Sequence, residues 1–418
     1  MSLEVNISEP DDFNCQELHS AIEEVAHNEG FEDFEYKVDY ISGKGGNFTS
    51  NVFRVMIRKT DCDDYDFSVI VKTFINTERQ QLFNELHKRE VFAYTEVIKK
   101  FISVQNVLNE ETKLELPECL LVNIEKNNEV IILKDLKNHG FELDDMQENA
   151  EYLNIEQINL VISELAKFHA LSFIIKEKES DTFKDLKTKF QDILYENSFL
   201  NKSKLRNFFF ESFDMFLKLV KNKEAKNKLR KLKDKFIELL QKYVKPGQTN
   251  VLCHGDCWVN NMFFKNKNSN QAKVCFIDYQ AMRYANPMTD FMHFLYLCTD
   301  SKFRSQHFDE IKNNYYESLS TFLNLYNIDV TTVYKRDNFD TDFYGYMPYG
   351  LLVSIFQLRI VTMNLEEDDT LKEAKLESNW DLSQIPSESD LFRSRVNDVV
   401  EEAVGNGVLD KLLAEVTY

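Results

Sequence analysis

A chain of 418 residues that is 43% hydrophobic and 13% aromatic, with only 11 glycines and 6 prolines, has the material to fold throughout; a disordered or fibrous protein is excluded. Its formal net charge of −20, with no long basic block outside a helix-like run from Lys218 to Lys245, argues against nucleic acid or an anionic membrane as main partner. Residues 1–30 lack the basic start and apolar centre of a signal peptide, and no run approaches the roughly 18 apolar residues of a membrane span, so a soluble, cytoplasmic protein of two or three domains or one two-lobed enzyme is expected. Seven scattered cysteines read as reduced thiols, and although Cys253 and Cys257 bracket His254, no second pair follows at zinc-ligand spacing.

In chain order, residues 36–74 predict three strands, with Tyr36, Val38 and Tyr40, then Phe53, Val55 and Ile57, alternating with polar positions before the apolar "FSVIVKTF". Between the first two lies "SGKGGNFTSN", where Gly43, Gly45, Gly46 and Asn47 form a loop able to bring bare backbone N–H groups to a ligand. Lys72 sits among Val69, Ile70, Val71 and Phe74, where an ammonium is costly unless an anion meets it. The segment 78–101 has helical periodicity, and Glu90 interrupts its stripe of Phe83, Tyr94, Val97 and Phe101. Either residue alone fits a bland reading, a strand-end lysine or a snorkelling glutamate. Together they predict an ion pair that aims the lysine at a phosphate.

Two further strands, "CLLVNIE" and "VIILKDL", flank a turn at 126–128, and beyond "LKDLKNHGF" the pattern turns helical almost to the end. A lobe boundary is placed at 134/135, dividing a small β-rich front with one main helix (1–134) from a large, mostly helical back (135–418). In the clearest amphipathic helix, "NLVISELAKFHALSF", His169 is expected to be a core histidine bonded to backbone. Phe209, Phe213, Phe216 and Val220 are expected in the core, the basic run after them on a solvated face, and residues 365–390 in an irregular surface loop.

The stretch "LCHGDCWVNNMFF" over 252–264 places His254, Asp256 and Asn261 inside an apolar run. "MFF" and "KVCFID" predict a hairpin around "KNKNSNQ", with Asn261 just before its first strand and Asp278 just after its second, so both can converge on Asp256. Two carboxylates and an amide oxygen make a hard-oxygen set of the kind Mg2+ prefers.

"HGDCWVNN" with "FIDYQ" resembles the loops of the protein-kinase-like aminoglycoside and choline phosphotransferase superfamily. Within it, "LCHGDCWVNNMFF", "FIDYQAMRYANPMTDFMHFLY", "LAKFHALS" and "REVFAY" resemble the insect ecdysteroid kinase-like family, from about Ile41 to Leu297. The resemblance implies an α+β, two-lobed protein-kinase-like fold and an ATP- and Mg2+-dependent kinase acting on a small molecule. It implies Asp256 as the catalytic aspartate, Asn261 and Asp278 as metal ligands, and Lys72, held by Glu90, on the nucleotide phosphates. Gly43 to Gly46 would cover the triphosphate, and the backbone of Leu133, Lys134, Asp135 and Leu136 would form the hinge that meets adenine. His254 would brace the catalytic loop, and Asp290 resembles a structural aspartate of the back lobe. Lys134 departs from the acidic residue common at that hinge position, which leaves its local electrostatics open.

For the acceptor, the resemblance implies an ecdysteroid or another hydroxylated, largely apolar compound, and Phe343, Tyr344, Tyr346, Met347, Tyr349 and Phe356 could wall such a pocket or simply pack the core. A cationic acceptor, a pseudokinase that binds without turnover, and a metal-dependent hydrolase remain open alternatives. The sequence does not speak to oligomeric state.

Overall fold

The computed structural model describes residues 16–41, 50–65, 67–73, 83–125, 128–143, 153–266, 271–362 and 389–417. Five strands form the front: β1 (Phe34–Tyr40), β2 (Asn51–Lys59), β3 (Phe67–Thr73), β4 (Cys119–Asn123) and β5 (Val130–Lys134), all antiparallel in the order β1-β2-β3-β5-β4. The expected alternation holds on β2, where Phe53, Val55 and Ile57 are fully buried. On β1 only Val38 goes inside, and Tyr40 is left 41% exposed. A helix to which the sequence reading assigned no element, α1 (Gln16–Asn28), covers this face with Leu18, Ile22, Val25 and Ala26. The glycine loop at 43–47, the start of the predicted helix at 78–82 and nearly all of the predicted loop at 365–390 lie outside the described residues.

Helix α2 carries the predicted stripe. It is α-helical over Asn84–Phe92, π-helical over Ala93–Ile98 and α-helical again over Lys99–Gln105. Phe83, Glu90, Tyr94, Val97 and Phe101 are all buried, and they join the core of the back part, not that of the sheet. Tyr94 packs edge-on against Tyr279 at 5.5 Å, Tyr279 stacks on Phe168 at 5.9 Å, and Phe101 meets Phe168 edge-on at 5.3 Å. Polar ties follow the same route: Arg89 donates to the Met282 carbonyl at 2.8 Å, and Glu85, Glu96 and Lys100 pair with Lys202, Lys189 and Glu179. In sequence α2 belongs to the front; in packing it belongs to the back.

The back contains helices α3 (Ile155–Lys178), α4 (Ser180–Lys189), α5 (Asn197–Lys202), α6 (Leu205–Leu219), α7 (Lys223–Leu232), α8 (Phe236–Val244), α9 (Met288–Cys298), α10 (Ser301–Asn324), α11 (Val330–Val333), α12 (Arg336–Gly345), α13 (Met347–Val361), α14 (Asp390–Gly405) and α15 (Val408–Thr417). The short strands β6 (Glu142–Leu143), β8 (Met262–Lys265) and β9 (Lys273–Phe276) form one small sheet, and β7 (Val251–Cys253) pairs with β10 (Arg283–Ala285). The predicted "MFF"/"KVCF" hairpin is therefore present. Phe209, Phe213, Phe216 and Val220 are core residues, as expected. Contrary to the sequence reading, α3 is long and apolar enough by composition to cross a membrane, but 78% of that window is buried inside the protein. Two helices, α9 and α13, approach closely at Gly350, where an added Cβ would lie 2.4 Å from the buried Tyr296 ring. Gly350→Ala is expected to cost about 1–3 kcal/mol by overpacking, read as a lower denaturation midpoint; an unchanged midpoint would refute the close approach.

Candidate active site

The loop that opens after β7 is shaped by a backbone requirement. Gly255 has φ +89, and a Cβ there would stand 1.9 Å from the Ala281 carbonyl oxygen, so only glycine fits. Asp256 follows, and a 3-10 turn over Val259–Asn261 delivers Asn261 at the start of β8. The Ile277 amide donates to the Asn261 carbonyl at 3.0 Å, which ties the far end of the hairpin to this loop. Asp278 then adopts φ 66 and ψ 67, a left-handed conformation that is costly for a residue with a Cβ and concentrates at functional sites.

These groups meet Lys72 in the cleft between the sheet and the back part. The Lys72 ammonium donates to both Glu90 carboxylate oxygens at 2.7 Å and to Asp278 Oδ1 at 3.2 Å. Burial works against its charge, but Asp278 and Glu90 outweigh it and hold Lys72 protonated, above its ordinary range. Asn261 Nδ2 donates to the Asp256 carbonyl at 2.9 Å and to its Oδ2 at 3.0 Å. Two acceptors on one side fix the orientation of the Asn261 amide, and its Oδ1 is left without a hydrogen bond among the described residues.

Behind the loop stands Asp290, on the first turn of α9. Its Oδ2 accepts the His254 amide at 2.5 Å and its Oδ1 the Gly255 amide at 2.8 Å; His169 Nε2 bonds the same carboxylate at 3.1 Å. Burial alone would push Asp290 up, but the bond from His169, the nearby histidines and the Gly255 amide bring it down to about 2. His169 is buried as expected, but its partners are the Asp290 carboxylate and, at 2.8 Å, the Tyr315 hydroxyl, not backbone. A helix facing another helix offers side chains, since its own backbone groups are already paired. His254 bonds the Ile277 carbonyl through Nε2 at 2.8 Å and accepts the Asp256 amide on Nδ1 at 3.3 Å, so it links the two loops. His169, Cys253 and Asp290 also place three metal-ligating atoms within 4.8 Å of one another, but every one of those atoms is already hydrogen-bonded.

Three contributors were missed by the sequence reading. Arg283, fully buried, donates to the Gly255 carbonyl at 2.5 Å and to Asp192 at 2.9 Å. Gln357, on α13, points Nε2 at Asp256 Oδ1 at 3.5 Å, while its Oε1 lies 2.8 Å from Nε2 of the buried His293. Burial first and Arg283 second depress His293 to about 3, so it is neutral and its Nε2 carries the proton that Gln357 accepts. Each of the three interrupts an apolar run ("QAMRYANP", "IFQLRIV", "DFMHFLYL"), the same signal that marked His254. Asp256 itself is pushed up to about 6, chiefly by burial and then by the Asp278 charge, against the bonds from Asn261 and Gln357.

At the interlobe connection, Asp135 accepts from Arg54 at 2.6 Å and Ser68 at 2.8 Å, which anchors the strand end to the sheet. Lys134 pairs with Glu118 at 2.8 Å, so its positive charge is met locally. Leu133 is buried in β5, and Leu136 opens a 3-10 turn capped by Asp135. The three suggested acceptor residues do not share a wall: Tyr344 is 48% exposed with its hydroxyl on Lys312, Tyr349 is fully buried, and Met347 packs half-buried against the core. The Gly43, Gly45, Gly46 and Asn47 loop lies outside the described residues. For a divalent cation, Asp278 and the unengaged Asn261 Oδ1 are hard oxygens, on loops joined by the bond from the Ile277 amide to the Asn261 carbonyl, and that donor type fits Mg2+.

Two outcomes are expected. Lys72→Met should cost about 3–5 kcal/mol by stranding Glu90 without its cation, and Lys72→Met with Glu90→Leu should regain most of it; equal denaturation midpoints for the two variants would disprove the pairing as the cause. Because folding lowers Asp290 from 3.8 to about 2, its ionised form contributes stability that is complete above about pH 4 and lost as pH falls toward 2. Asp290→Asn should remove about 2 kcal/mol of that acid-side slope, measured by denaturation across pH 2–5.

Comparison with known proteins follows this geometry. Among solved structures, the chain resembles amicoumacin kinase hAmiN in complex with AMP-PNP, Ca2+ and Ami (10% identity, 88% of this chain and 97% of that one, TM-score 0.43). It also resembles choline kinase LicA from Streptococcus pneumoniae (13% identity, 93% and 99% covered, TM-score 0.40). Likenesses this distant carry no weight in the assignment. The comparison with curated proteins finds no match. Residues 44–328, which span β2 to β5, the Lys72–Glu90 pair and the Asp256–Asp278 loops, match the ecdysteroid kinase-like family, and the chain belongs to that family.

Proposed function

We propose that the protein is a small-molecule kinase that transfers the γ-phosphoryl group of ATP to a hydroxyl of an ecdysteroid or a similar hydroxylated, largely apolar compound. The observation that carries this reading is the chain of contacts Glu90–Lys72–Asp278 beside Asp256–Asn261, which puts one cation, one candidate base and two hard-oxygen donors in a single cleft. In this reading Lys72 holds the nucleotide phosphates, Glu90 holds Lys72, and the backbone of Leu133 to Leu136 receives adenine. Asn261 and Asp278 would hold a divalent cation, which when bound neutralises phosphate charge. Asp256 orients the acceptor hydroxyl. Its oxygen forms the new bond to the γ-phosphorus as the bond to the β-phosphate oxygen breaks, ADP leaves, and the hydroxyl proton passes to the Asp256 carboxylate.

The groups facing Asp256 Oδ1 favour a neutral acceptor over a cationic one. Gln357 carries no charge and His293 is held neutral, so neither would repel an uncharged polyol or attract an ammonium. The nearest other carboxylate, Asp278, is committed to Lys72. The test is an acceptor screen with ATP and Mg2+ over ecdysteroids, other hydroxylated steroids, choline and an aminoglycoside, read by the mass gain of one phosphoryl group. A steroid product is expected, with Asp256→Asn slower by about 10²–10⁴-fold. Phosphorylation of choline or the aminoglycoside alone would replace the acceptor class, phosphate release without an acceptor would indicate a hydrolase, and magnesium-dependent ATP binding with no product from any class would end the kinase reading.

A further inference from the structure

A cavity of about 650 Å³ lies away from the cleft, and none of Lys72, Asp256, Asn261 or Asp278 lines it. Its walls are the second half of α2, the connection over residues 110–118, and β4, the strand at the edge of the five-stranded sheet. That volume falls within the range of pockets for small organic ligands. Three features give it a chemistry. The α2 wall, with Tyr94, Thr95 and Ile98, is the π-helical turn of that helix, a distortion that recurs at functional sites. Tyr94 is 2% exposed, yet its hydroxyl has no hydrogen-bond partner, leaving a buried donor that a ligand acceptor would satisfy.

The charges are unevenly matched. Glu110, Glu115 and Glu118 each pair with a lysine of their own, Lys113, Lys273 and Lys134. Lys99, exposed beside the exposed Ile102, has no ion pair among the described residues. The acids of the cavity are neutralised and one rim cation is left over, in a chain whose net charge is −20. Walls that are part polar and part apolar, a buried donor and a rim cation complement a molecule with an apolar face, a hydrogen-bond acceptor and one anionic end.

We infer that this cavity binds a small amphipathic organic carboxylate or sulfonate, with its acceptor toward Tyr94 and its charge toward Lys99. Such an occupant would lie against the helix that carries Glu90, one turn from that carboxylate. The inference does not depend on the kinase reading.

The test is a fluorescence titration of the full chain with dansylglycine, and with uncharged dansylamide for comparison, at saturating AMP-PNP so that the cleft is filled. Dansylglycine should saturate at one site and bind tighter than dansylamide. Lys99→Glu should weaken dansylglycine about tenfold and leave dansylamide unchanged. Ile102→Trp should abolish binding of both by filling the mouth, and Tyr94→Phe should weaken both. Positions 99 and 102 are exposed, so unaltered circular dichroism is expected for those two variants and separates loss of binding from loss of fold. No saturation, displacement by AMP-PNP, or unchanged affinity in both rim variants would overturn the inference.

Discussion

Everything in the cleft depends on one buried ammonium. Lys72 comes from a strand of the front sheet, Glu90 from a helix cored with the back, and Asp278 from a back loop, and all three meet within 3.2 Å. Among the described residues there are two hydrophobic clusters, one between α1 and one face of the sheet, the other running through the back helices and α2 and taking in Ile131 and Leu133 of β5. Apolar contact is non-directional and tolerates sliding, whereas an ion pair with little water around it has one good geometry. The electrostatic junction therefore adds a directional constraint at the site to the apolar contact that β5 already makes with α2 and the back.

The loop that carries Asp256 illustrates the complementary rule, that buried polar groups are tolerated when each is answered. Asp290 accepts two consecutive loop amides, Arg283 reaches the Gly255 carbonyl, His254 ties the loop to the Ile277 carbonyl, and Asn261 holds Asp256 from one side while Gln357 faces it from the other. The consequence is a fixed orientation for the Asp256 carboxylate. Asp256 keeps partial access to solvent, with 22% of its side chain exposed, while Asp290, Arg283, His254 and Asn261 around it are buried. The same helix α2 that presents Glu90 to this cleft forms a wall of the second cavity, so two pockets of different chemistry share one structural element.

Much of the site was legible because its residues break local rules. A lysine in an apolar strand, a glutamate on an apolar helical face, and three polar groups in the run from Leu252 to Phe264 each signal an obligation to find a partner, and hairpin spacing alone brought Asn261 and Asp278 to the same place. Arg283, His293 and Gln357 carry the same signal, but nothing local says which loop a side chain 28 to 101 residues later will face. The aromatic run at 343–349 straddles the junction of α12 and α13, so Tyr344 reaches solvent while Tyr349 is sealed in the core, where the core-packing reading applies to it.

The amino-acid sequence by itself determined the strands of the front sheet, the amphipathic helices and the hairpin that carries Asn261 and Asp278, because these follow from periodicity and turn spacing, whereas the glycine needed at position 255 is imposed by the Ala281 carbonyl of another loop. Tertiary structure alone decided that α2 cores with the back, that His169 binds side chains instead of backbone, that Asp256 is held by Gln357 as well as Asn261, and that a second cavity opens beside the sheet edge. Those outcomes depend on contacts between segments far apart in the chain, whose geometry is set by how two cores pack and which no local pattern encodes.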